Sequence, residues 1–399
     1  MHIWIVTINF PVPSETFACV EFQALKKQGV EITVRELGFR RNSHARMLTE
    51  YGLEGIDHSS RTSRVLPANL SMLIKHPILF FQLLSLIVRK LFRSPKELLK
   101  SLLLAPRSIE IFEEIRRAQP DVVHLFWGHY PTLVAWLIDK YLPTQPWSIA
   151  LSAYDLWMDY PITRALLPNA GFVRSISQVN TQVIAGQSPS PRKTITIPHG
   201  IVLSNFSESP ENKIKFRIIS AGRMIPKKNF ADVIQTFAEF HREHPEATLV
   251  LAGDGPERPT LERFVATRNL QTAVQFLGHV SQVQLAKQMA LSEFFLFLSE
   301  HNEMLPNVIK EAVASKCVCV IRRSEGIEEL INQSETGYIV DSRDEATNCL
   351  RTLSSLSCEE RCQIASRAKD RIQKHFNVDD SAAGLIDAWR ELKSTWRSS

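Results

Sequence analysis

Cysteine is scarce in this chain. Its six residues, at 19, 317, 319, 349, 358 and 362, form no Cys-x-x-Cys pair and no paired framework. That argues against a disulfide-held secreted domain and for reduced thiols in a cytoplasmic protein. Long apolar runs are missing too: the stretch Ile78–Val88 has eleven residues, about half of the roughly twenty that cross a bilayer. The opening Met-His-Ile-Trp-Ile-Val-Thr lacks a basic leader, so no signal peptide is expected. No basic segment is interleaved with stacking aromatics, and no zinc or helix-turn-helix signature occurs, which sets nucleic acid aside as a partner. No self-similarity of solenoid period is visible.

What is present is ordinary globular material. The 399 residues are 44% hydrophobic and 22% charged, enough for two or three domains, each with its own core. The net charge of +5 is unevenly placed. Residues 1–200 hold 22 Lys and Arg against 15 Asp and Glu, a balance of +7, and the remainder holds 25 against 27, or −2. A basic first half suits an anionic surface.

Strand and helix patterns alternate along both halves. His2–Ile8 reads as a strand. A helix is expected to run to Lys27, with Ser14 as its N-cap and Glu15 in its first turn, before a second strand at Val30–Val34. Residues 41–70 are polar and turn-rich, with no clear period. Ile78–Val88 is flanked by Lys75, Arg89, Lys90, Arg93, Lys96 and Lys100. It is either a buried helix pair with a solvated basic rim or an amphipathic segment in a membrane interface, inserting Phe80, Phe81 or Leu84. Strands at Asp121–Phe126, Trp147–Ser152, Phe172–Arg174 and Thr194–Ile197 alternate with helices as far as Pro198-His199-Gly200. His124 reads as a core residue, whereas His129, past Gly128, is expected to face a cleft. The polar, aperiodic residues 205–215 read as a linker. Alternation resumes at Phe216–Ala221 and ends with Gly337–Val340 and helices over 344–373 and 379–395. Two such runs imply two parallel-sheet domains.

Two loops at strand ends carry the chemistry. Ser299–Ser315 follows the apolar strand Phe294–Leu298, with a helix expected from Pro306. Glu303 lies in the loop, and Asn307 and Glu311 share a helix face. A loop carboxylate, the free helix-start amides near Leu305–Asn307 and a helical carboxylate converging on one spot suit a polyhydroxylated anion. Carboxylates accept hydroxyl hydrogen bonds, and amide dipoles favour phosphate. Gly222, Arg223 and Lys228 follow the strand Phe216–Ala221. Glycine permits close backbone approach, Arg223 offers a two-pronged phosphate clamp, and Lys228 adds a point charge. Each of these patterns, alone, also occurs in plain solvated loops.

In this order the elements resemble those of the family-4 retaining glycosyltransferases, bacterial polysaccharide-biosynthesis type, whose fold is GT-B. Glu303-x7-Glu311 matches the family's paired glutamates and Gly222-Arg223-x4-Lys228 its diphosphate grip. Gly253-Asp-Gly255-Pro resembles its second glycine turn, Gly278-His279-Val280 the loop that reads the nucleobase, and His199-Gly200 the turn joining the domains. The likeness covers residues 198–340, and Pro13-Ser14-Glu15-Thr16-Phe17 resembles the family's first loop. It implies an α/β protein of two Rossmann-like parallel-sheet domains facing a cleft: an acceptor-side domain over 1–204, a nucleotide-sugar domain over 205–378, and a C-terminal helix, 379–399, crossing back to the first.

The resemblance also implies a reaction. A sugar passes with retention, without a metal or other cofactor, from a nucleotide-sugar donor to a glycan or lipid-linked acceptor in polysaccharide assembly. The place is the cytoplasm or, on the second reading of Ile78–Val88, the anionic inner face of the cytoplasmic membrane. Arg223, Lys228, Glu303 and Asp155 would be catalytic. Gly222, Met304, Leu305, Pro306, Asn307, Glu311, His279, Val280, His199 and Gly200 would hold the donor. Ser14, Glu15, His129 and Ser152 fall on the acceptor or sugar side. Two departures stand out. The family's His-x-x-Asp is Ser152-Ala-Tyr-Asp155 here, and Met304 stands where glycine usually follows the first glutamate, which restricts positive φ. Asn229 likewise replaces a common glycine. The departures leave open a catalytically weak sugar-nucleotide-binding relative, and the same fold hosts nucleotide-sugar epimerases and phosphorylases.

Overall fold

Ile3, Trp4, Ile5 and Val6 are consecutive β-branched or aromatic residues, the composition of a strand covered on both faces. They form the centre of β1 (His2–Thr7), and all four are buried. The structure is a computed structural model and describes residues 1–13, 15–38, 43–59, 64–187, 190–206, 213–300 and 303–396. The chain divides into two units, residues 1–199 with 378–399, and residues 200–377.

In the first unit β1 is followed by α1 (Thr16–Lys27), β2 (Glu31–Glu36), α2 (Ser43–Glu50), β3 (Asp57–Ser59), α3 (Val65–Lys75), α4 (Pro77–Leu91) and α5 (Pro95–Ala118). Then come β4 (Val122–Leu125), α6 (Thr132–Tyr141), β5 (Trp147–Leu151), α7 (Ala153–Met158), α8 (Pro161–Leu166), β6 (Val173–Ser175), α9 (Gln178–Ala185) and β7 (Thr194–Thr196). The sheet is parallel, in the order β3-β2-β1-β4-β5-β6-β7.

The second unit holds β8 (Ile214–Ala221), α10 (Phe230–Glu243), β9 (Thr248–Ala252), α11 (Arg258–Ala266), β10 (Val274–Gly278), α12 (Gln282–Ala290) and β11 (Ser292–Phe297). It continues with α13 (Asn307–Ala314), β12 (Val318–Arg322), β13 (Tyr338–Val340), α14 (Arg343–Ser355) and α15 (Cys358–His375). Its parallel sheet runs β10-β9-β8-β11-β12-β13. Successive residues point to opposite faces. Phe294 and Leu296 therefore join one apolar layer with Ile218 and Leu249, and Phe295 and Phe297 join the other with Ile219 and Val250. Both layers are covered, which is why these strands read as continuous apolar runs. The last helix, α16 (Val378–Trp396), packs on α1 and β4 of the first unit. There Trp389 donates to Ser148 Oγ at 3.2 Å and stacks edge-on to His124. His124 is a core residue: burial, with the Arg174 charge adding, pulls its imidazole down to about 3.

In both sheets the strand order reverses once, between β1 and β4 and between β8 and β11. Loops leaving the two strands at such a point turn to opposite sides of the sheet and leave a crevice at the carboxyl ends.

Several local expectations need correction. Helix α1 starts at Thr16, with Glu15 in the cap position and no acidic residue in the first turn; Ser14 lies outside the described residues. The segment 41–70 contains α2, β3 and the start of α3, elements too short to show a period. The single stretch 344–373 is two helices, broken at Leu356 and restarted by Ser357, whose hydroxyl caps Glu360 N–H. The two readings of Ile78–Val88 share one helix. Leu79, Leu83, Ile87 and Leu91 of α4 are buried, while Ile78, Phe81 and Val88 are exposed. Phe80 and Leu84 are only half-buried.

One buried ion pair ties α1 to the sheet of the first unit. Arg174 of β6 donates from both terminal nitrogens to Glu21 of α1, at 2.7 and 2.6 Å, and His199 Nδ1 lies 3.1 Å from the same carboxylate. The Arg174 side chain is fully buried and that of Glu21 nearly so. Burial alone pushes the Glu21 carboxyl up, but Arg174 and His199 outweigh it and hold it below its ordinary value. The stability this contributes is therefore present above the ordinary carboxylate range and lost as pH falls through and below it. Glu21→Gln leaves the Arg174 charge buried without its partner. We expect it to cost about 3–5 kcal/mol at neutral pH in denaturant unfolding. A loss under about 1 kcal/mol would show that the pair carries no more than a surface contact.

Candidate functional site

In the second unit, three loops at the carboxyl ends of the strands are held together by backbone alone. Gly222 N–H donates to Ala252 O at 3.0 Å, Met224 N–H to Asp254 O at 2.8 Å, and Gly253 N–H to Gly278 O at 2.8 Å. A Cβ on Gly253 would lie 1.9 Å from the Gly222 carbonyl oxygen, and one on Gly255 2.4 Å from that of Met224. The Gly-x-Gly turn is thus fixed by backbone-to-backbone contact. This joins the loops after β8, β9 and β10 into one layer, a role its sequence does not display.

The loop after β8 reaches across the reversal point to the loop after β11. Lys228 Nζ pairs with Glu303 Oε2 at 2.5 Å and stands 5.0 Å above the Phe297 ring. The other Glu303 oxygen accepts the Ser299 hydroxyl at 3.2 Å, and Ser299 also donates to Lys227 O at 3.0 Å. Both partners are largely covered, with side chains 14% and 20% exposed. Arg223 differs: it is exposed, and no carboxylate among the described residues pairs with it. Asn229 ends this loop at φ +48 and caps α10 through Asp232 N–H. Asparagine in place of glycine keeps the left-handed conformation and adds a cap.

Past Glu303 the left-handed residue is Leu305, at φ +50, and not Met304. Leu305 is 4% exposed and packs in the apolar layer below, which holds a conformation that costs roughly 1–2 kcal/mol for a non-glycine residue. Pro306 occupies the cap position, and α13 begins at Asn307. Asn307 Oδ1 accepts from the buried Lys310 at 2.9 Å. Glu311, also buried, accepts from Gln282 of α12 at 3.1 Å. Burial pushes its carboxyl up, opposed by Gln282 and Lys310. Glu303 and Glu311 make no direct contact with each other; each is held by a different loop. His279 is exposed and Val280 half-buried, just before Gln282. Gly200 is buried. The His199 ring belongs to the interior of the first unit, on Glu21 and 4.4 Å from the Phe17 ring. Gln282 and Ser299 gave no sequence signal, since nothing in their spacing marks their carboxylate partners.

The first unit has its own cluster at the β1/β4 reversal. Asp155 Oδ1 accepts from Gly128 N–H and His129 Nδ1, both at 2.8 Å, and Oδ2 from the Ser152 N–H and hydroxyl at 2.9 and 3.2 Å. Its side chain is 0% exposed. Four donors saturate the carboxylate, so Asp155 positions His129 and is not itself offered to a ligand. Gly128 has no room for a side chain, since a Cβ would lie 2.2 Å from Leu151 Cδ2. His129 is 8% exposed. Tyr154 and Trp157, missed by motif reading, extend from it as exposed rings, with centroid spacings of 5.8 Å and 6.3 Å. A cavity of about 700 Å³, between Leu86, Trp136, Asn169 and Trp396 among others, opens near the amino ends of β5–β7, away from both clusters.

Glu15 lies within electrostatic reach of His129 and Asp155 and close to the Trp127 side chain. Burial pushes its carboxyl up to about 7; His129 opposes, Asp155 adds and Trp127 opposes. The folded state then holds the proton more tightly than the unfolded chain, so stability falls as pH rises from the ordinary carboxylate value through about 7. Glu15→Gln removes this dependence. The variant should match the wild type in melting temperature near the ordinary carboxylate value and exceed it above neutrality. A difference independent of pH would contradict the placement of Glu15.

Comparison with known proteins follows the same division. Residues 203–371 match the family model described as Glycosyl transferases group 1. The chain is 33% identical over 153 residues to N-acetyl-alpha-D-glucosaminyl L-malate synthase of Bacillus anthracis, covering 38% of this chain and 39% of that one. It is 22% identical over 163 residues to alpha-monoglucosyldiacylglycerol synthase of Acholeplasma laidlawii, covering 37% and 41%. The matches thus span about two fifths of these relatives' length. Among solved structures, Anabaena Alr3699/HepE in complex with UDP aligns over 98% of this chain and 100% of its own, with TM-score 0.74 and 16% identity. Sucrose-phosphate synthase of Thermosynechococcus elongatus aligns over 99% and 100%, with TM-score 0.70 and 14% identity. At such identities the likeness is one of fold, two Rossmann-like parallel-sheet units as in GT-B glycosyltransferases. The backbone-joined loops of the second unit and its Lys228–Glu303 pair lie within the residues that match the Glycosyl transferases group 1 model.

Proposed function

We propose that the protein is a retaining glycosyltransferase that works without a metal, moving a sugar from a nucleotide-sugar to a glycan or lipid-linked acceptor in polysaccharide assembly. The observation that carries this reading is the pairing of Lys228 with Glu303 across the strand reversal, inside the matched domain. The donor's diphosphate sits against Arg223 and Lys228, whose charges stabilise the negative charge that builds on the leaving group. Glu311 accepts the ribose hydroxyls, and Glu303 with the amides near Leu305 and Asn307 holds the sugar. His279 and Val280 flank the base. The acceptor takes its place in the first unit, where Tyr154 and Trp157 offer faces for a sugar ring and Glu15 and His129 offer proton-exchanging groups. Retention follows if the acceptor attacks from the side the diphosphate leaves, with the departing phosphate taking the acceptor proton, so that no protein nucleophile is needed. The Ser152 hydroxyl, bound to Asp155, favours one rival, a sugar-nucleotide binder with little turnover. Product formation from a labelled donor separates the two.

Arg223→Ala and Lys228→Ala each remove a charge aimed at the leaving group, and each should lower turnover about a hundredfold with the fold intact. Near-normal turnover in both folded variants would sink the diphosphate assignment. The two glutamates should separate by calorimetry. UDP and UDP-glucose, the ligands of the Anabaena structures, are the first probes. Glu311→Gln should weaken the bare nucleotide and the complete donor alike, and Glu303→Gln the complete donor more. Equal effects of both changes on both ligands would refute the division.

A further inference from the structure

We propose that α3, α4 and the start of α5 form a docking surface for an anionic lipid membrane. This goes beyond the proposed reaction and does not depend on it. The observation is an aliphatic stripe turned to solvent. On α3, Leu66, Leu70, Leu73 and Ile74 are 78%, 55%, 37% and 69% exposed, and spacings of four, three and one put them on one helix face. On α4 and the residue after it, Ile78, Phe81, Val88 and Phe92 are 74%, 60%, 47% and 62% exposed. These positions share a second face, opposite the buried Leu79, Leu83, Ile87 and Leu91. Leu99 and Leu103 of α5, one turn apart, are 61% and 68% exposed. Monomeric proteins rarely present so many large apolar side chains together without a partner for them.

Charge identifies the partner. Lys75, Arg89, Lys90, Arg93, Lys96 and Lys100 border the stripe, and no carboxylate among the described residues pairs with any of them. From Arg64 to Pro106 there is one carboxylate, Glu97, and it accepts the Tyr130 hydroxyl. A second copy of the chain docking through this face would set cations against cations. A bilayer with anionic headgroups offers both an apolar layer and the opposite charge. No single helix among the described residues is long and apolar enough to cross a membrane, and α3 and α4 meet at 110°. Both lie on the protein and present side chains outward, as interfacial helices do.

The test is flotation of the full chain with vesicles, without any sugar donor, so it reads partition and not transfer. The protein should float with phosphatidylcholine vesicles containing phosphatidylglycerol and stay behind with phosphatidylcholine alone. High salt should release it. Arg89→Gln with Lys90→Gln and Arg93→Gln should lower partition on the order of a hundredfold, three cations' worth. Ile74→Ser with Phe81→Ser should abolish flotation while leaving thermal melting in place, since both side chains face solvent. Absence of flotation with anionic vesicles, or equal binding to both compositions, overturns the proposal. So does a lipid-free dimer, seen by sedimentation, that Phe81→Ser dissociates.

Discussion

The Lys228–Glu303 ion pair is the contact on which the arrangement of the second unit turns. It joins two loops that the strand order sends apart, one leaving β8 and one leaving β11. Its worth lies less in stability than in position, because the cost of taking both charges out of water offsets much of their attraction. What it fixes is charge. Lys228 is held against Phe297 and Glu303, and Glu303 is held by Ser299, so neither side chain swings freely at the carboxyl edge of the sheet. Exposed Arg223 supplies a second cation beside them. A paired and an exposed positive charge at one strand end suit an anionic ligand.

The first unit solves a similar positional problem by different means. At its reversal the central group is a saturated carboxylate, Asp155, holding one imidazole and one loop amide. Its lone pairs are spent inside the protein, so the groups left to act are His129 and Glu15. The two edges therefore have opposite character. One gathers cations beside loop amides, and the other gathers a carboxyl, an imidazole and exposed aromatic rings. In the proposed reaction the first suits a nucleoside diphosphate and the second a neutral, hydroxylated acceptor.

The two-sheet architecture was legible because buried parallel strands write themselves as apolar runs. Phe294–Leu298 and Val318–Ile321 are such runs, and both faces of each strand are covered. What sequence could not give was which polar groups meet. Glu303 and Glu311, seven residues of spacing between them, look like a pair and are held by Lys228 and Gln282, from separate elements. Met304 looked like the conformational departure, yet the backbone places the left-handed residue at Leu305, because φ belongs to the loop's path and not to the motif's register. Asp155 carried a family role by position and turned out fully enclosed. Contacts between loops of different strands depend on strand order, which no local pattern encodes.

Helix α4 shows a limit of another kind. Its buried residues recur every four positions and its exposed apolar residues, Ile78, Phe81 and Val88, lie three and seven apart, so both faces carry hydrophobic residues. Read as a line of letters, Ile78–Val88 supports core and interface equally, and the structure shows that one helix serves as core on one side and open surface on the other. An amphipathic helix on a protein normally turns a polar face outward. Here the outward face carries Ile78, Phe81 and Val88 beside the uncharged Gln82 and Ser85, and its charged residues, Arg89 and Lys90, are cations at the end of the helix. That distribution makes little sense for contact with water, because exposed Ile78, Phe81 and Val88 gain nothing there. It is coherent for contact with a surface that is apolar inside and anionic at its edge. The basic excess of the first half, +7 against −2 for the remainder, thus acquires a location: the rim of one apolar face.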